Sequence, residues 1–291
     1  MNFGTTDFCG GISGILLANS TVRNCRVTLS NNAQMIGSDY FGGLIGYSEN
    51  SKIIGSVFSG NLNSSGHEVG GIAGRASNKS SIESCRSLAG EASGSASVGG
   101  ICGYLLSNSS IEKCYTTINL NGTNHNVGGL VGYAEDSDIS NSYTTEITVN
   151  GKGDSDGGIV GCLNNSNVEY CYSRAKVTGM DSVGGIAGKK GEGSVTISHC
   201  AALNSTLTGS NKDNVNKIIG QGNDTVLTNC YSLESLKFEY TGASGSNSNY
   251  IHVASPLDGK KANTLSDVFK NITLDPSIWA TNTNDAYPVL K

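Results

Sequence analysis

The sequence predicts an all-β fold: a parallel β-helix (β-solenoid) of about eight rungs, followed by a C-terminal capping segment. Three observations predict it. A Gly-Gly pair followed by Ile or Leu recurs along the chain, a Cys or Ser recurs 14 to 16 residues after each first glycine, and no piece before about residue 262 has a helical apolar period. Since stacked strands lie ~4.8 Å apart, eight rungs give a rod on the order of 40 Å long.

The Gly-Gly pair sets the length of the repeat. Successive first glycines are separated by 32, 28, 29, 29, 29 and 27 residues, and stand at Gly10, Gly42, Gly70, Gly99, Gly128, Gly157 and Gly184. The clearest copies read VGGIAG, VGGICG, VGGLVG and DGGIVG, and in a degenerate eighth copy Asn216–Gly220 replaces the pair. Such self-similarity is typical of a solenoid.

Each copy divides into three strand-like pieces separated by turn residues. In one copy these pieces are Val127–Ala134, Asp138–Thr145 and Glu146–Asn150. The residue two after the first glycine is always aliphatic and is interpreted as an inward stack: Ile12, Leu44, Ile72, Ile101, Leu130, Ile159, Ile186 and Ile218. Strict alternation then turns the preceding valines outward, so that either a bulge breaks the alternation or another segment covers them.

The second marker of the repeat is a column of small side chains. It contains Cys25, Cys85, Cys114, Cys171, Cys200 and Cys230, with Ser56 and Ser142 at the two remaining positions. Nine cysteines is an odd number, and the serines interrupt any disulfide framework. The pattern favours a structural ladder of reduced, inward thiols, with at least one disulfide between rungs as the alternative.

The chain leaves the repeat near residue 233. We therefore predict a solenoid over residues 1–233 and a C-terminal cap over 234–291, since an open solenoid end exposes strand edges and core. Thr264–Phe269 is predicted as a short helical turn with Thr264 or Ser266 as its N-cap. Phe269 and Trp279 are predicted to pack over the last rung.

Composition and charge exclude several classes of function. A net charge of −5 indicates no basic face for nucleic acid. The sequence contains no run of 18 apolar residues, which a membrane-spanning helix would need. The first residues, MNFGTTDFCGG, lack the features of a signal peptide, while a repeat begins at about residue 8. The chain is therefore expected to be part of a longer protein.

The repeats resemble a known family. Gly43-Leu44-Ile45-Gly46 and Gly129-Leu130-Val131-Gly132 are similar to the GLUG motif, and the resemblance extends over roughly residues 9 to 233. The C-terminal run from Trp279 through Ala286 to Lys291 is similar to the segment that often closes such arrays. The resemblance implies a bacterial cell-surface or adhesin-like protein, or a non-catalytic part of a metallopeptidase that cleaves immunoglobulin A. It therefore implies an extracellular or cell-surface location.

No catalytic or metal-binding set is predicted, and no cofactor. The four histidines are His67, His125, His199 and His252. His67-Glu68 begins like the zinc-peptidase motif, but the second histidine is missing. No Cys-x-x-Cys pair occurs, and acids such as Asp136 and Asp138 fall in turns, where they are expected to be solvated or to meet Asp or Asn of adjacent rungs. Ca²⁺ binding through their oxygens is the alternative, although the calcium-solenoid pattern Gly-Gly-x-Gly-x-Asp is not present.

Two columns of tyrosine are the candidate ligand-binding residues. Tyr115, Tyr143 and Tyr172 follow the Cys marker on consecutive rungs, and Tyr47, Tyr104 and Tyr133 stand five residues after the first glycine. Aromatic rings on an outer face bind sugar rings or protein side chains, although the same rings could merely stack and stiffen the rod.

Two classes of function follow from these patterns. The first is a non-catalytic extracellular module, an adhesin or ligand-binding stalk, whose partner is a host glycan or protein. The second is a glycan-active β-helix enzyme, which would need two carboxyl groups ~5 to 10 Å apart. The resemblance adds a third hypothesis, that the chain is the accessory region of a secreted metallopeptidase.

Overall fold

The structure is a computed structural model that describes residues 1–30, 33–222, 224–241, 247–249, 255–281 and 287–291. The chain coils through about eight turns, and each turn contributes one short strand to each of five parallel sheets. We number these sheets I to V in the order in which a turn enters them. The predicted parallel β-solenoid of ~29-residue rungs is confirmed.

The strands of each sheet are given in chain order. Sheet I contains Cys9–Gly10, Phe41–Gly42, Val69–Gly70, Val98–Gly99, Val127–Gly128, Asp154–Gly157, Asp181–Gly184 and Val215–Asn216. Sheet II contains Ser13–Leu16, Ile45–Glu49, Ala73–Ser77, Cys102–Leu106, Val131–Glu135, Val160–Asn164, Ala187–Lys190 and Ile219–Gln221. Sheet III contains Thr21–Arg23, Lys52–Ile54, Ser81–Glu83, Ser110–Glu112, Asp138–Ser140, Asn167–Glu169, Thr196–Ser198 and Val226–Thr228.

Sheets IV and V extend beyond the repeats. Sheet IV contains Arg26–Thr28, Val57–Ser59, Arg86–Leu88, Tyr115–Thr116, Tyr143–Thr144, Tyr172–Ser173, Ala201–Ala202, Tyr231–Leu233 and Lys260–Ala262. Sheet V contains Gln34–Gly37, Asn61–Ser64, Glu91–Gly94, Asn119–Gly122, Thr148–Gly151, Lys176–Thr178, Thr206–Gly209, Lys237–Thr241 and the antiparallel strand Asn247–Asn249. The division of the chain at residue 233 stays a prediction.

Each rung has five strands where the sequence predicted three pieces. In one copy the first piece divides into Val127–Gly128 and Val131–Glu135, and the second into Asp138–Ser140 and Tyr143–Thr144. The first break falls at the Gly-Gly pair. The second falls at Asn141, whose φ of 48° turns the backbone through the left-handed region. Periodicity missed both corners because the apolar pattern continues through them.

The Gly-Gly corner explains why the valine before it and the Ile or Leu after it both face the core. Val127 and Leu130 are fully buried although they lie three residues apart, because the strand ends between them and a new one begins. A Cβ on Gly128 would overlap the Val131 carbonyl oxygen, and one on Gly129 would overlap the Gly158 carbonyl oxygen of the next rung. The corner therefore brings backbone against backbone, which only glycine permits.

The C-terminal segment forms short elements of its own. It contains a 3-10 turn at Pro256–Asp258, the helix α1 at Leu265–Ile272, and a two-stranded sheet of Trp279–Thr281 and Pro288–Leu290. A second 3-10 turn, Lys212–Asn214, lies earlier, within the repeats. The Thr264 side chain accepts a hydrogen bond from the Asp267 amide at 3.2 Å, so the predicted N-cap is confirmed. The helix is longer than the single turn predicted.

The position of this segment corrects one expectation. Leu257 enters the core beyond the last Gly-Gly position, and Lys260–Ala262 adds a strand to sheet IV. Phe269 and Trp279, however, do not pack over the last rung. They contact Tyr172 on the outer face of sheet IV, where its column of tyrosines offers an apolar surface. Ala286 lies outside the described residues.

The first rung ends the stack at the other end of the rod. Ile12 is exposed there, unlike the equivalent aliphatic residues of later rungs such as Leu44, and Ile15 and Leu17 are exposed as well. Among the described residues, no helix has the length and apolar character needed to cross a membrane.

Candidate ligand-binding surface

The tyrosine column on sheet IV is a continuous stack of rings. Tyr115, Tyr143 and Tyr172 are neighbours in register, and their ring centroids lie 5.0 and 4.9 Å apart with interplanar angles of 7° and 11°. In-register parallel strands hold successive side chains at about the strand spacing, so each ring covers the next. This is the rung-to-rung stacking that the sequence allowed.

The C-terminal segment covers most of that stack. Trp279 packs on Tyr143 and Tyr172 at 5.9 and 5.8 Å, and the Tyr172 hydroxyl donates a hydrogen bond to the Pro288 carbonyl oxygen at 2.6 Å. Tyr143 is 6% exposed and Tyr172 is 1% exposed. The expectation that these two rings contact a ligand is therefore corrected, because their surface is already used by the chain itself. Tyr115 stays half-buried.

The tyrosine column on sheet II remains accessible. Tyr47, Tyr104 and Tyr133 are half-buried, and Arg75 occupies the intervening position in register. The Arg75 guanidinium lies 5.0 Å from the centre of the Tyr104 ring, and Tyr104 meets Tyr133 edge-on at 4.7 Å. A guanidinium that packs against aromatic rings makes cation–π contacts, so Arg75 keeps the column of side chains continuous.

Two further rings extend this surface and were not identified from the sequence. Tyr40 lies 4.7 Å from the Arg75 guanidinium, and Phe8 stacks on Tyr40 at 4.4 Å with an interplanar angle of 2°. Both residues stand two before the first glycine of their copies and have φ near 55°, which turns their side chains outward. Reading that repeat position down the sequence would have found them. We call Phe8, Tyr40, Tyr47, Arg75, Tyr104 and Tyr133 the aromatic platform.

Polar partners hold the platform in place. Glu68 accepts two hydrogen bonds from Arg75, one of them from Nε at 2.6 Å. Burial raises the pKa of Glu68, and Arg75 opposes that effect. Tyr104 donates to Glu135 at 2.6 Å, and Tyr47 donates to Glu49 at 3.1 Å. These bonds restrict the rings to defined orientations.

Two of the platform tyrosines, Tyr104 and Tyr133, have raised pKa values. Burial, followed by the hydrogen bond to Glu135, raises the pKa of Tyr104, and burial raises the pKa of Tyr133 to about 12. The hydroxyl groups of these two residues therefore keep their protons at neutral pH and remain hydrogen-bond donors.

The Cys and Ser residues of the second marker form an inward column. Cys114 and Cys200 are fully buried, as are Ser56 and Ser142, and all nine cysteines are free thiols. Cys25, at the open end, is half-buried, while Cys85, Cys171 and Cys230 are buried. In the first five rungs of this column, the side chain accepts a hydrogen bond from the amide of its counterpart one rung earlier, as in Cys85 N–H to Cys114 Sγ at 3.3 Å and Cys114 N–H to Ser142 Oγ at 3.0 Å. Thiol and hydroxyl make the same bonds, which explains why they interchange.

The acidic turns meet asparagines of the next rung. Asn165 donates to Asp136 at 2.6 Å and Asn167 donates to Asp138 at 2.9 Å, as the sequence allowed. No group of three His, Cys, Asp or Glu side chains that could hold a metal ion occurs within the described residues, which exclude His252. The turn carboxylates therefore act as stacking partners between rungs.

The fold and the repeated corner define the class of the chain: a β-solenoid built on a glycine motif. Residues 123–150 match the family model of the GLUG motif, which confirms the resemblance seen in the sequence. A solved structure described as a "putative immunoglobulin A1 protease from Bacteroides ovatus" has a similar fold, with a TM-score of 0.65 and 21% sequence identity over 91% of this chain and 86% of that chain. No curated protein matches the chain.

Proposed function

We propose that this chain is a non-catalytic module of an extracellular or cell-surface bacterial protein and that its aromatic platform binds a glycan. The GLUG motif and the shared solenoid fold fit a module of a secreted protein. The observation that carries the binding role is the half-exposed row of rings on sheet II, in contrast to the covered rings on sheet IV.

The geometry of the platform suits a chain of sugar rings. Its members occupy consecutive rungs, so half-exposed side chains recur at about the strand spacing along a straight line. Apolar rings together with hydroxyl and guanidinium groups offer both apolar contact and hydrogen bonds to a sugar. An extended glycan that lies along the rod would meet several of these side chains at once.

The carboxylates of this face are engaged in ways that disfavour the enzyme alternative. Glu68 is held by Arg75, and Glu135 accepts the Tyr104 hydroxyl. Glycoside hydrolysis needs one carboxyl group as the acid and another as the base or nucleophile, and each must be free to reach the substrate. Both carboxylates act instead as supports for the platform.

A glycan array tests the proposal. The wild-type chain should retain a defined set of glycans, and the triple variant Tyr47→Ala/Tyr104→Ala/Tyr133→Ala should lose them because the ring faces are gone. Tyr104→Phe/Tyr133→Phe should keep most of the binding, since it preserves the rings. Tyr170→Ala removes a half-buried tyrosine that stacks on His199 away from the platform and serves as the matched control.

Equal binding by the wild type and the triple variant would refute the platform as the binding surface. Capture of protein but no glycan would replace the ligand class with a protein partner. Circular dichroism of each variant verifies that the solenoid is intact.

The accessory region of a secreted metallopeptidase is the second candidate, supported by the description of the Bacteroides ovatus protein. The chain would then bind or position a substrate for a peptidase domain elsewhere in the same protein. The full-length gene sequence separates the two candidates, since an adjoining zinc-peptidase motif supports the second and its absence supports the first.

A further inference from the structure

A groove of about 900 Å³ lies between sheet IV and the C-terminal two-stranded sheet. Its floor is formed by outward residues of the early rungs, among them Arg86 and Tyr115. Its opposite wall is formed by Ile278, Val289 and Leu290 of the C-terminal segment. The volume falls in the range of pockets that hold small ligands.

The floor of the groove carries an aromatic ring with one face in use. Tyr143 stacks on one face of Tyr115 at 5.0 Å, and the column of rings ends there. The next residue in register toward the N-terminus is Arg86, so the second face of Tyr115 is directed toward the groove. No ring of the described residues stacks on that second face.

Three basic side chains and one acidic side chain line the groove. Arg86, Lys113 and Lys291 line it, against the single acid Glu83. Lys113 is paired with Glu112 at 2.9 Å and Lys291 donates to the Pro276 carbonyl oxygen at 2.5 Å. Arg86 is exposed and forms no salt bridge with any of the described residues. It is the cation left to pair with a ligand.

From this juxtaposition we infer that the groove binds a sugar residue that carries a carboxylate. One face of the sugar ring packs on the open face of Tyr115, and the carboxylate pairs with the Arg86 guanidinium, which matches its two oxygens. Ile278 and Leu290 cover the other side of the ring. This site uses residues and a face that the aromatic platform does not, so it stands independently of the proposed function.

Calorimetric titration of the wild-type chain tests the inference. The probes are oligogalacturonate and sialyllactose, with methyl-esterified oligogalacturonate and lactose as their uncharged counterparts. At least one charged sugar should bind, its uncharged counterpart should bind about tenfold more weakly or not at all, and added salt should weaken the charged interaction.

Two variants and a matched control locate the site. Arg86→Gln should weaken the charged sugar about tenfold or more, and Tyr115→Leu should weaken the charged and uncharged sugars alike. Arg26→Gln removes an exposed arginine from the same column of sheet IV, two rungs away and outside the groove, and should change nothing. The thermal unfolding midpoint of each variant verifies that it is folded.

The inference is overturned if neither charged sugar binds, or if folded Arg86→Gln binds as tightly as Arg26→Gln. An oligoglutamate peptide provides the remaining arm. If it binds as well as the sugars and Tyr115→Leu does not affect it, the groove recognises negative charge alone and the sugar assignment is wrong.

Discussion

A single carboxyl group interrupts the buried valine column of sheet I. Asp156 pairs in register with Val127 on one side and Val183 on the other, and it is fully buried. Neither of its carboxyl oxygens has a hydrogen-bond partner among the described residues. A Cβ on Gly151 or Gly179 would overlap these oxygens, so the two glycines provide their space. Burial holds the pKa of Asp156 well above its usual range.

This residue predicts a pH dependence of stability. In the folded chain the carboxyl group keeps its proton, whereas in the unfolded chain it releases it above about pH 4. Asp156 therefore makes the free energy of unfolding fall as the pH rises from about 4 toward the raised pKa. Asp156→Val should remove this part of the slope and stabilise the protein by roughly 1–3 kcal/mol at pH 7. Urea unfolding of both proteins at pH 4 and pH 7 measures the difference, and an equal slope in both would contradict the assignment.

The Cys and Ser column predicts an order of stability among isosteric variants. Cys114 accepts the Cys85 amide and donates to the Glu112 carbonyl oxygen at 3.3 Å. Cys114→Ser keeps both bonds, as Ser142 does in the next rung, while Cys114→Val leaves a buried amide without an acceptor. We expect Cys114→Val to be less stable than Cys114→Ser by roughly 1–3 kcal/mol in chemical denaturation. The reverse order would mean that apolar packing determines this position.

Among the elements, the Gly-Gly corner leaves no space for a side chain. A methyl group on Gly128 would overlap the Val131 carbonyl oxygen within its own rung and would lie 2.4 Å from the Gly161 nitrogen of the next rung. Because both contacts are with backbone atoms, the backbone would have to move to relieve the overlap. Gly128→Ala should therefore cost more than about 4 kcal/mol or abolish folding. Thr123→Ala, at an exposed turn of the same rung, should lie within about 0.5 kcal/mol of the wild type. Thermal unfolding compares them, and a mild effect of Gly128→Ala would show that the corner can relax.

Some elements of the fold could be predicted from the sequence, and others could not. Periodicity predicted the solenoid, the aliphatic stack and the position of the Thr264 N-cap because these repeat or follow local rules. It missed the five-strand division, since a corner such as Asn141 depends on backbone dihedral angles that leave the apolar pattern unbroken. It also missed the path of the C-terminal segment, because the contact of Trp279 with Tyr172 joins residues more than a hundred positions apart.

At the scale of the whole molecule, two faces of one rod differ in what covers them. The chain packs its own C-terminal segment on the sheet IV tyrosines and leaves the platform on sheet II open. Each rung contacts mainly its neighbours, so such a rod offers long rows of equivalent positions along each face. The proposed function depends on this difference between the faces.

Hydroxyl-radical footprinting read by mass spectrometry tests that difference directly, because it reports the solvent accessibility of each tyrosine ring without any ligand. We expect Tyr47, Tyr104 and Tyr133 to be oxidised several-fold faster than Tyr143 and Tyr172 in the folded chain, and at similar rates in the denatured chain. Oxidation of Tyr143 and Tyr172 at the rate of the platform rings would contradict this expectation.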